Sequence, residues 1–138
     1  MDAPQLTPPF RERLVAGVRA QLPTVMAIYL YGSVADATAR SDSDIDIAVL
    51  LPPGEAIPVP AQFAMAAFEG YPTDLIDLRR VGAILQREVL NKGIRIFASD
   101  PLLVAIAESY LLSISNDDLF RIQPYYDMIQ NEVLHRRC

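Results

Sequence analysis

The chain has 138 residues, 51% of them hydrophobic, and a formal net charge of −5, so we predict one globular domain with no room for a separate recognition domain. The acidic balance argues against direct binding to nucleic acid, because contacts with the phosphate backbone need a basic face. The single cysteine, the lack of an apolar run near the ~20 residues that span a bilayer and the lack of a signal-peptide pattern indicate a cytoplasmic protein with no disulfide framework and no membrane association.

The first third of the chain predicts one helix and two strands. Apolar residues recur at helical spacing from Phe10 to Leu22, with Thr7 before two prolines at the start and Pro23 at the end. The apolar run from Val25 to Tyr31 predicts a short buried strand. A second strand runs from Asp44 to Leu51, where a Pro-Pro-Gly cluster ends it.

The rest of the chain predicts alternating helices and strands. The predicted elements are a helix at about 60–69, a strand at 73–78, a helix at about 81–92, a strand at 94–97, a helix at about 101–114 and a last helix at 125–136. This order predicts the α/β (α+β) class, with helices packed on a small mixed sheet of about four strands. We expect a single domain over residues 1–138, with its core at about 10–98 and a C-terminal helical extension at about 100–138.

The helix at 101–114 carries one apolar stripe, formed by Leu103, Ile106, Ala107, Tyr110, Leu111 and Ile114. Together with the last helix, it presents more apolar surface than so small a sheet can cover. One interpretation is a face that binds a partner, and the other is an ordinary core stripe.

Two aspartates open the second strand. In a strand, side chains at positions i and i+2 point to the same face, so Asp44 and Asp46 project together while Ile45 and Ile47 face the other side. Two carboxylates on one face repel each other unless a cation lies between them. Mg²⁺ prefers such oxygen ligands and usually binds one or two carboxylates together with substrate phosphates. The pair therefore predicts a metal site for a nucleoside triphosphate.

The turn that ends the first strand supports the same site. Gly32 permits a positive φ or a close backbone approach, and Ser33 can cap the start of a helix. Free N–H groups at such a turn suit phosphate. Each feature taken alone has an ordinary structural explanation, because glycine-serine turns and acidic strand ends are common. Their occurrence together, ten residues apart between apolar runs, favours function.

Gly32-Ser33, ten intervening residues and Asp44-Ile45-Asp46 together resemble the signature of the polymerase-β-like nucleotidyltransferase superfamily. Within it, the chain is most similar to the one-domain MntA-type antitoxins, which pair with HEPN-domain (HepT-like) toxins. Residues 73–80 resemble the third acidic strand of that family, and residues 91–97 resemble the helix, glycine and short strand that follow it. The tail at 107–136 is similar only in its helical pattern.

The resemblance implies a third carboxylate on a neighbouring strand. Asp74 and Asp77 are three residues apart, so in a regular strand only one of them can face the site. The family pattern of Asp followed by two aliphatic residues matches Asp74, and Asp77 is then expected to cap the following helix. By this resemblance Asp44, Asp46 and Asp74 form a catalytic two-ion Mg²⁺ site, and Gly32 and Ser33 bind the phosphates of ATP.

The function implied by the resemblance is transfer of AMP from ATP to a tyrosine of a HEPN-domain toxin, and the implied assembly is a hetero-oligomer of the two proteins. One departure is visible: relatives usually have Arg-Gly where this chain has Asp36-Ala37. Arg40 could replace the missing cation, although an exposed loop arginine is the simpler explanation. Two other functions therefore stay open, namely an antitoxin that only occludes its toxin and a nucleotidyltransferase for small molecules.

Overall fold

The computed structural model describes residues 2–114 together with Pro124 and Met128. The helices are α1 (Pro8–Gln21), α2 (Gly32–Ala35), α3 (Val59–Ala64), α4 (Ala83–Lys92) and α5, which is helical from 101 to 114. The strands are β1 (Ala27–Tyr31), β2 (Ile45–Leu50), β3 (Ala67–Phe68), β4 (Tyr71–Asp77) and β5 (Ile94–Ala98). The last predicted helix, at 125–136, lies outside the described residues except for Met128.

The strands form one mixed sheet in the order β3-β4-β2-β1-β5. β2 and β4 run parallel, and the pairs β1–β2, β1–β5 and β3–β4 are antiparallel. This arrangement confirms the predicted fold class. None of the helices in the described part of the chain is long and apolar enough to cross a membrane.

Helix α1 forms as the sequence predicts. The Thr7 hydroxyl accepts a hydrogen bond from the Phe10 N–H at 3.3 Å, and prolines fill the first turn, where no N–H partner is needed. Phe10, Leu14 and Val18 are buried against the sheet. The helix therefore covers one face of the sheet through an apolar stripe.

Side chains of strand β2 contribute alternately to two core clusters, one on each face of the sheet. Ile45, Ile47 and Val49 belong to the core under α1 and α3. Ala48 and Leu50, which alternate with them, belong to a second cluster with residues of α4 and α5. Asp46 shares this second face because it lies two residues before Ala48. The predicted separation of Asp46 from its isoleucine neighbours is therefore confirmed.

The sheet has five strands instead of the predicted four, because the helix expected at 60–69 ends at Ala64. Glu69 and Gly70 have φ angles of 50° and 86°, and Phe68 pairs with Tyr71 across them. Two consecutive residues with positive φ form a type I′ turn, whose twist suits a two-residue hairpin. The residues predicted as the end of a helix thus form β3.

The two later helices bury only some of their apolar residues. In α4, Ile84 is exposed, whereas Gln86 is buried and its Nε2 donates a hydrogen bond to the Leu78 carbonyl at 2.8 Å. In α5, Val104 and Leu111 are buried. The exposed apolar side chains of α5 are Leu102 (70%), Leu103 (54%), Ile106 (59%), Tyr110 (62%) and Ile114 (38%).

Candidate active site

The side chains of Tyr31, Asp46 and Asp74 form a row across the three inner strands of the sheet. Tyr31 lies opposite Asp46 in the antiparallel β1–β2 pair, and Asp46 lies opposite Asp74 in the parallel β2–β4 pair. Directly opposed residues project to the same face with Cβ atoms about 4.5–5.5 Å apart. Asp44 is exposed two residues before Asp46, where the chain enters β2. The structure therefore brings the three predicted carboxylates to one end of the sheet.

The electrostatics of Asp46 reflect this crowding. Its side chain is half-buried, and burial raises the pKa of the carboxyl, with further increases from the negative charges of Asp74 and Asp44. Each effect disfavours the ionised form. The cluster thus carries negative charge that a bound cation would relieve.

Tyr31 and Glu88 also belong to this environment, although no sequence motif includes either residue. Burial raises the pKa of the Tyr31 hydroxyl, and the charges of Asp74, Asp46 and Glu88 raise it further. Tyr31 is therefore a neutral hydrogen-bond donor at physiological pH. In the sequence, the signal for Tyr31 is its position directly before Gly32. Nothing in the sequence identified Glu88, because the rotation of α4 depends on tertiary packing.

Gly32 lies against the acidic row. It has a φ of +71°, and a Cβ built on it would overlap the Asp46 carboxylate. Only glycine therefore satisfies both the backbone conformation and the close approach. Ser33 follows in α2, a single turn in which the Ser33 carbonyl accepts the Thr38 N–H at 2.9 Å. The first N–H groups of such a turn have no partner within the helix.

The loop between α2 and β2 contains the departure from the family pattern. Asp36 accepts a hydrogen bond from the Thr38 N–H at 3.1 Å, and Ala37 has a φ of 62°, in the region that favours glycine. The Arg40 N–H donates to the Ser43 hydroxyl at 2.7 Å, and the Ser43 N–H donates to the Arg40 carbonyl at 3.0 Å. These bonds hold the loop backbone and leave the Arg40 side chain exposed.

Asp77 lies on the opposite face of β4 from Asp74, as the three-residue spacing predicts. It is buried, its Oδ1 accepts the Arg79 N–H at 3.0 Å, and its Oδ2 lies 3.3 Å from Arg80 Nε without the angles of a hydrogen bond. These contacts stabilise the turn that leads to α4. Of the two candidates for the third carboxylate, the row contains Asp74.

The donor set fits a magnesium ion that substrate oxygens help to coordinate. Within residues 2–114, no three His, Cys, Asp or Glu side chains are gathered closely enough to hold a metal on their own. Asp44, Asp46 and Asp74 nevertheless supply carboxylate oxygens, and burial together with the charges of Asp74 and Asp44 raises the pKa of Asp46. Mg²⁺ usually keeps several waters and takes only one or two carboxylates plus phosphates, so a closed cage of side chains is not required.

Comparison with known proteins connects this geometry to a family. The model of the family described as Polymerase beta, Nucleotidyltransferase matches residues 15–102, a segment that includes the whole acidic row. Protein adenylyltransferase MntA from Shewanella oneidensis MR-1 is 31% identical over 86 residues, which cover 59% of this chain. The matched segment spans 60% of the length of that curated relative.

Solved structures share the fold over most of the chain. A crystal structure of a toxin–antitoxin with AMP-PNP has a TM-score of 0.76 at 23% identity and covers 87% of this chain and 98% of its own. A structure of the tri-AMPylated Shewanella oneidensis HEPN toxin in complex with MNT antitoxin has a TM-score of 0.70 at 22% identity and covers 87% of this chain and 95% of its own. At these identities the likeness establishes the arrangement of strands and helices.

Proposed function

Because the chain belongs to the polymerase β nucleotidyltransferase family, we propose that it transfers AMP from ATP to a tyrosine of a HEPN-domain toxin and thereby neutralises the toxin. The observation that carries this proposal is the row of Tyr31, Asp46 and Asp74 with Asp44 beside it. The family resemblance stated from the Gly32-Ser33 and Asp44-x-Asp46 motifs is confirmed by the family match.

Different residues would bind the metal, bind the phosphates and accept the proton in nucleotidyl transfer. Asp44, Asp46 and Asp74 would hold Mg²⁺, in a two-ion site by the family resemblance, and the bound metal supplies neutralisation of the phosphates and a lower pKa for the attacking hydroxyl. The Gly32-Ser33 turn offers N–H groups and a hydroxyl to the β- and γ-phosphates. The tyrosine oxygen forms a bond to the α-phosphorus. The bond between the α-phosphorus and the oxygen that bridges to the β-phosphate breaks, and pyrophosphate leaves. Asp74, the exposed member of the row, accepts the tyrosine proton.

Relatives support the choice of nucleotide and acceptor. Among the similar structures, one toxin–antitoxin contains AMP-PNP, and another contains a tri-AMPylated HEPN toxin with its MNT antitoxin. The curated relative is named a protein adenylyltransferase. We extend these properties to this chain on the strength of its acidic row. We also propose that residues 1–138 act as one nucleotidyltransferase domain and that the protein works in the cytoplasm, where ATP is supplied.

A second candidate function is neutralisation by binding alone, with a weak nucleotide site. The loop between α2 and β2 favours this second function, because Asp36 places a negative charge where relatives usually have an arginine. Ala37 adopts a φ of 62° where a glycine would be unstrained. Both features predict weaker binding of a triphosphate than in relatives with Arg-Gly at this point.

One experiment tests the proposed function and separates the two candidates. Purified protein is mixed with ATP, Mg²⁺ and the HEPN-domain toxin, and intact mass spectrometry measures addition of AMP to the toxin. We expect Asp44→Asn to reduce the rate roughly 100-fold or more, since removing even an indirect partner of a metal site costs about 10–100-fold. Asp42→Asn, a change of an exposed loop aspartate, is the matched control. Toxin inhibition without an AMP adduct would instead establish occlusion.

A further inference from the structure

The proposed nucleotide brings negative charge to a site that is already acidic. Asp44, Asp46 and Asp74 gather at the row, and Glu88 of α4 contributes to the raised pKa of Tyr31. Asp36 adds a further negative charge on the loop after α2. Magnesium offsets part of this repulsion, so binding of the terminal phosphates calls for a protein cation as well.

Most cations in the described part of the chain already have partners. Arg13 pairs with Glu69, Arg80 with Asp77 and Arg95 with Glu108, Arg79 and Arg11 donate to the carbonyls of Leu51 and Ile96, and the guanidinium of Arg19 lies over the ring of Phe97. Within residues 2–114, three cationic side chains have no ion-pair, hydrogen-bond or ring partner, namely Arg40, Arg87 and Lys92. A cation without such a partner can bind a phosphate without first giving up another contact.

The backbone places Lys92 beside the Gly32 turn. Lys92 is the last residue of α4, and β5 begins two residues later with Ile94, which pairs with Leu30 of β1. A Cβ built on the intervening Gly93 would lie 3.0 Å from the Leu30 carbonyl oxygen, so the end of α4 packs directly on β1. Leu30 is two residues before Gly32. The C-terminal end of α4 and the proposed phosphate turn are therefore neighbours.

The helical spacing of α4 also places Lys92 near Glu88. Lys92 and Glu88 are one helical turn apart and share a face of the helix. Glu88 is close enough to influence the pKa of Tyr31, a member of the row. Both residues line a surface depression of about 340 Å³ together with Ile84, Arg87 and Asn91.

The other two free cations fit the turn less well. Arg87 is five residues before Lys92, which places it about 7.5 Å farther along the helix axis from the end that contacts β1. Arg40 lies on the loop that leads into β2, where Ser43 holds its backbone and its side chain makes no hydrogen bond or ion pair within residues 2–114. Lys92 alone combines a free charge with a backbone neighbour of the turn.

We propose that Lys92 binds the β- and γ-phosphates of the nucleotide at the Gly32-Ser33 turn. This inference rests on the proposed function and assigns that site a residue which the sequence motifs did not include. A lysine ammonium on its four-carbon stem can reach a phosphate as a point charge without a fixed approach angle. The residue orients the leaving pyrophosphate and takes no part in proton transfer.

The test compares ATP with AMP, because AMP lacks the phosphates that Lys92 would bind. Calorimetry of the full-length protein with Mg²⁺ measures both affinities for wild type, Lys92→Gln and Lys92→Arg. We expect Lys92→Gln to weaken ATP binding about 10-fold or more while AMP binding stays unchanged, and Lys92→Arg to retain most of the ATP affinity. Arg13→Gln removes the same charge from an exposed ion pair and serves as the control.

The outcomes separate this inference from the proposed function. Wild-type protein that binds no ATP overturns both. Wild-type protein that binds ATP, with Lys92→Gln losing nothing or losing ATP and AMP affinity equally, overturns the role of Lys92 and leaves the nucleotidyltransferase proposal intact. A selective loss of ATP affinity in Arg40→Gln with none in Lys92→Gln assigns the phosphates to Arg40. Thermal melts of each variant verify that the fold is retained.

Discussion

The carboxylate of Asp46 occupies the space that a side chain at position 32 would need. Any side chain at position 32 would overlap that carboxylate and also strain a φ of +71°. We expect Gly32→Ala to lower the free energy of unfolding by about 2 kcal/mol or more, since a left-handed conformation costs a residue with a Cβ about 1–2 kcal/mol before any clash is counted. The measurement is equilibrium unfolding in urea.

Gly54 provides the control for this prediction. It has a similar φ of +84°, but nothing lies within 4 Å of a Cβ built on it. Gly54→Ala therefore measures the backbone strain alone, and we expect a loss of about 1–2 kcal/mol. If Gly32→Ala costs no more than Gly54→Ala, the contact between the turn and Asp46 is not tight.

The raised pKa of Asp46 predicts that this residue reduces the stability of the metal-free protein. Ionisation of Asp46 costs more in the folded chain than in the unfolded chain, so the free energy of unfolding falls as the pH rises through the raised folded pKa. We expect Asp46→Asn to be more stable than wild type at pH 7 in EDTA. The difference should shrink as the pH is lowered toward about 4, the usual value of an aspartate.

Urea titrations at the two pH values measure this effect, with Asp42→Asn, at an exposed position of the loop before β2, as the control. Asp46→Asn should at the same time abolish activity. A variant that is less stable than wild type at pH 7 would show that Asp46 has a favourable partner in the folded state.

At the scale of residues, spacing alone predicted part of the site. Asp44 and Asp46 follow from the two-residue period of a strand, and Asp74 was chosen over Asp77 by its resemblance to the family pattern. Tyr31 had only its position directly before Gly32 as a signal, because its place beside Asp46 depends on which strands are neighbours. Glu88 could not be predicted, because its proximity to the row depends on how α4 is rotated.

At the scale of elements, the buried Gln86 holds α4 to the end of β4. Its Nε2 donates to the Leu78 carbonyl at 2.8 Å inside the protein. Gln86→Leu would leave that carbonyl without this partner, so we expect a loss of about 1–3 kcal/mol in the free energy of unfolding. Gln62 makes the similar bond to the Leu75 carbonyl at 3.0 Å from an exposed position.

Gln62→Leu is therefore the matched control, because the donor side chain there is exposed and the bond is only partly buried. We expect it to cost about 0.5 kcal/mol or less. Equal losses for the two variants, measured by urea denaturation, would contradict the view that burial gives the Gln86 bond its importance.

The hairpin that replaced the end of a predicted helix shows where local sequence is insufficient. Ala66 and Ala67 favour a helix, and Glu69 is not a typical turn residue. Tertiary contacts decide the outcome: Arg13 binds both carboxylate oxygens of Glu69 at 3.1 Å, and Phe68 packs edge-on against Phe10. Both partners belong to α1, more than fifty residues away in the chain.

At the scale of the whole molecule, ligand binding should stabilise the fold. A ligand present at 100 times its dissociation constant adds about 2.7 kcal/mol to the free energy of unfolding. We therefore expect ATP with Mg²⁺ to raise the melting temperature by several degrees and ATP with EDTA to raise it much less. Asp44→Asn should abolish the increase, and a shift that survives in this variant would place nucleotide binding elsewhere.

The exposed face of α5 gives the second prediction at this scale. Ile106 is 59% exposed between other exposed apolar residues of the helix, which favours the partner-binding interpretation of the sequence. We expect Ile106→Glu to leave the melting temperature unchanged and to weaken binding of the HEPN-domain toxin at least 10-fold. Ala105→Glu adds the same charge on a neighbouring exposed position, and pull-down titrations of both variants should differ.

The crowding of carboxylates in the row has a physiological consequence. Under the proposed function, bound Mg²⁺ and nucleotide would relieve the repulsion among these acids and stabilise the fold, so resistance of the protein to proteolysis should follow the supply of both ligands. Under the proposed function, the carboxylates that bind the metal and the nucleotide would therefore also set how long the protein persists.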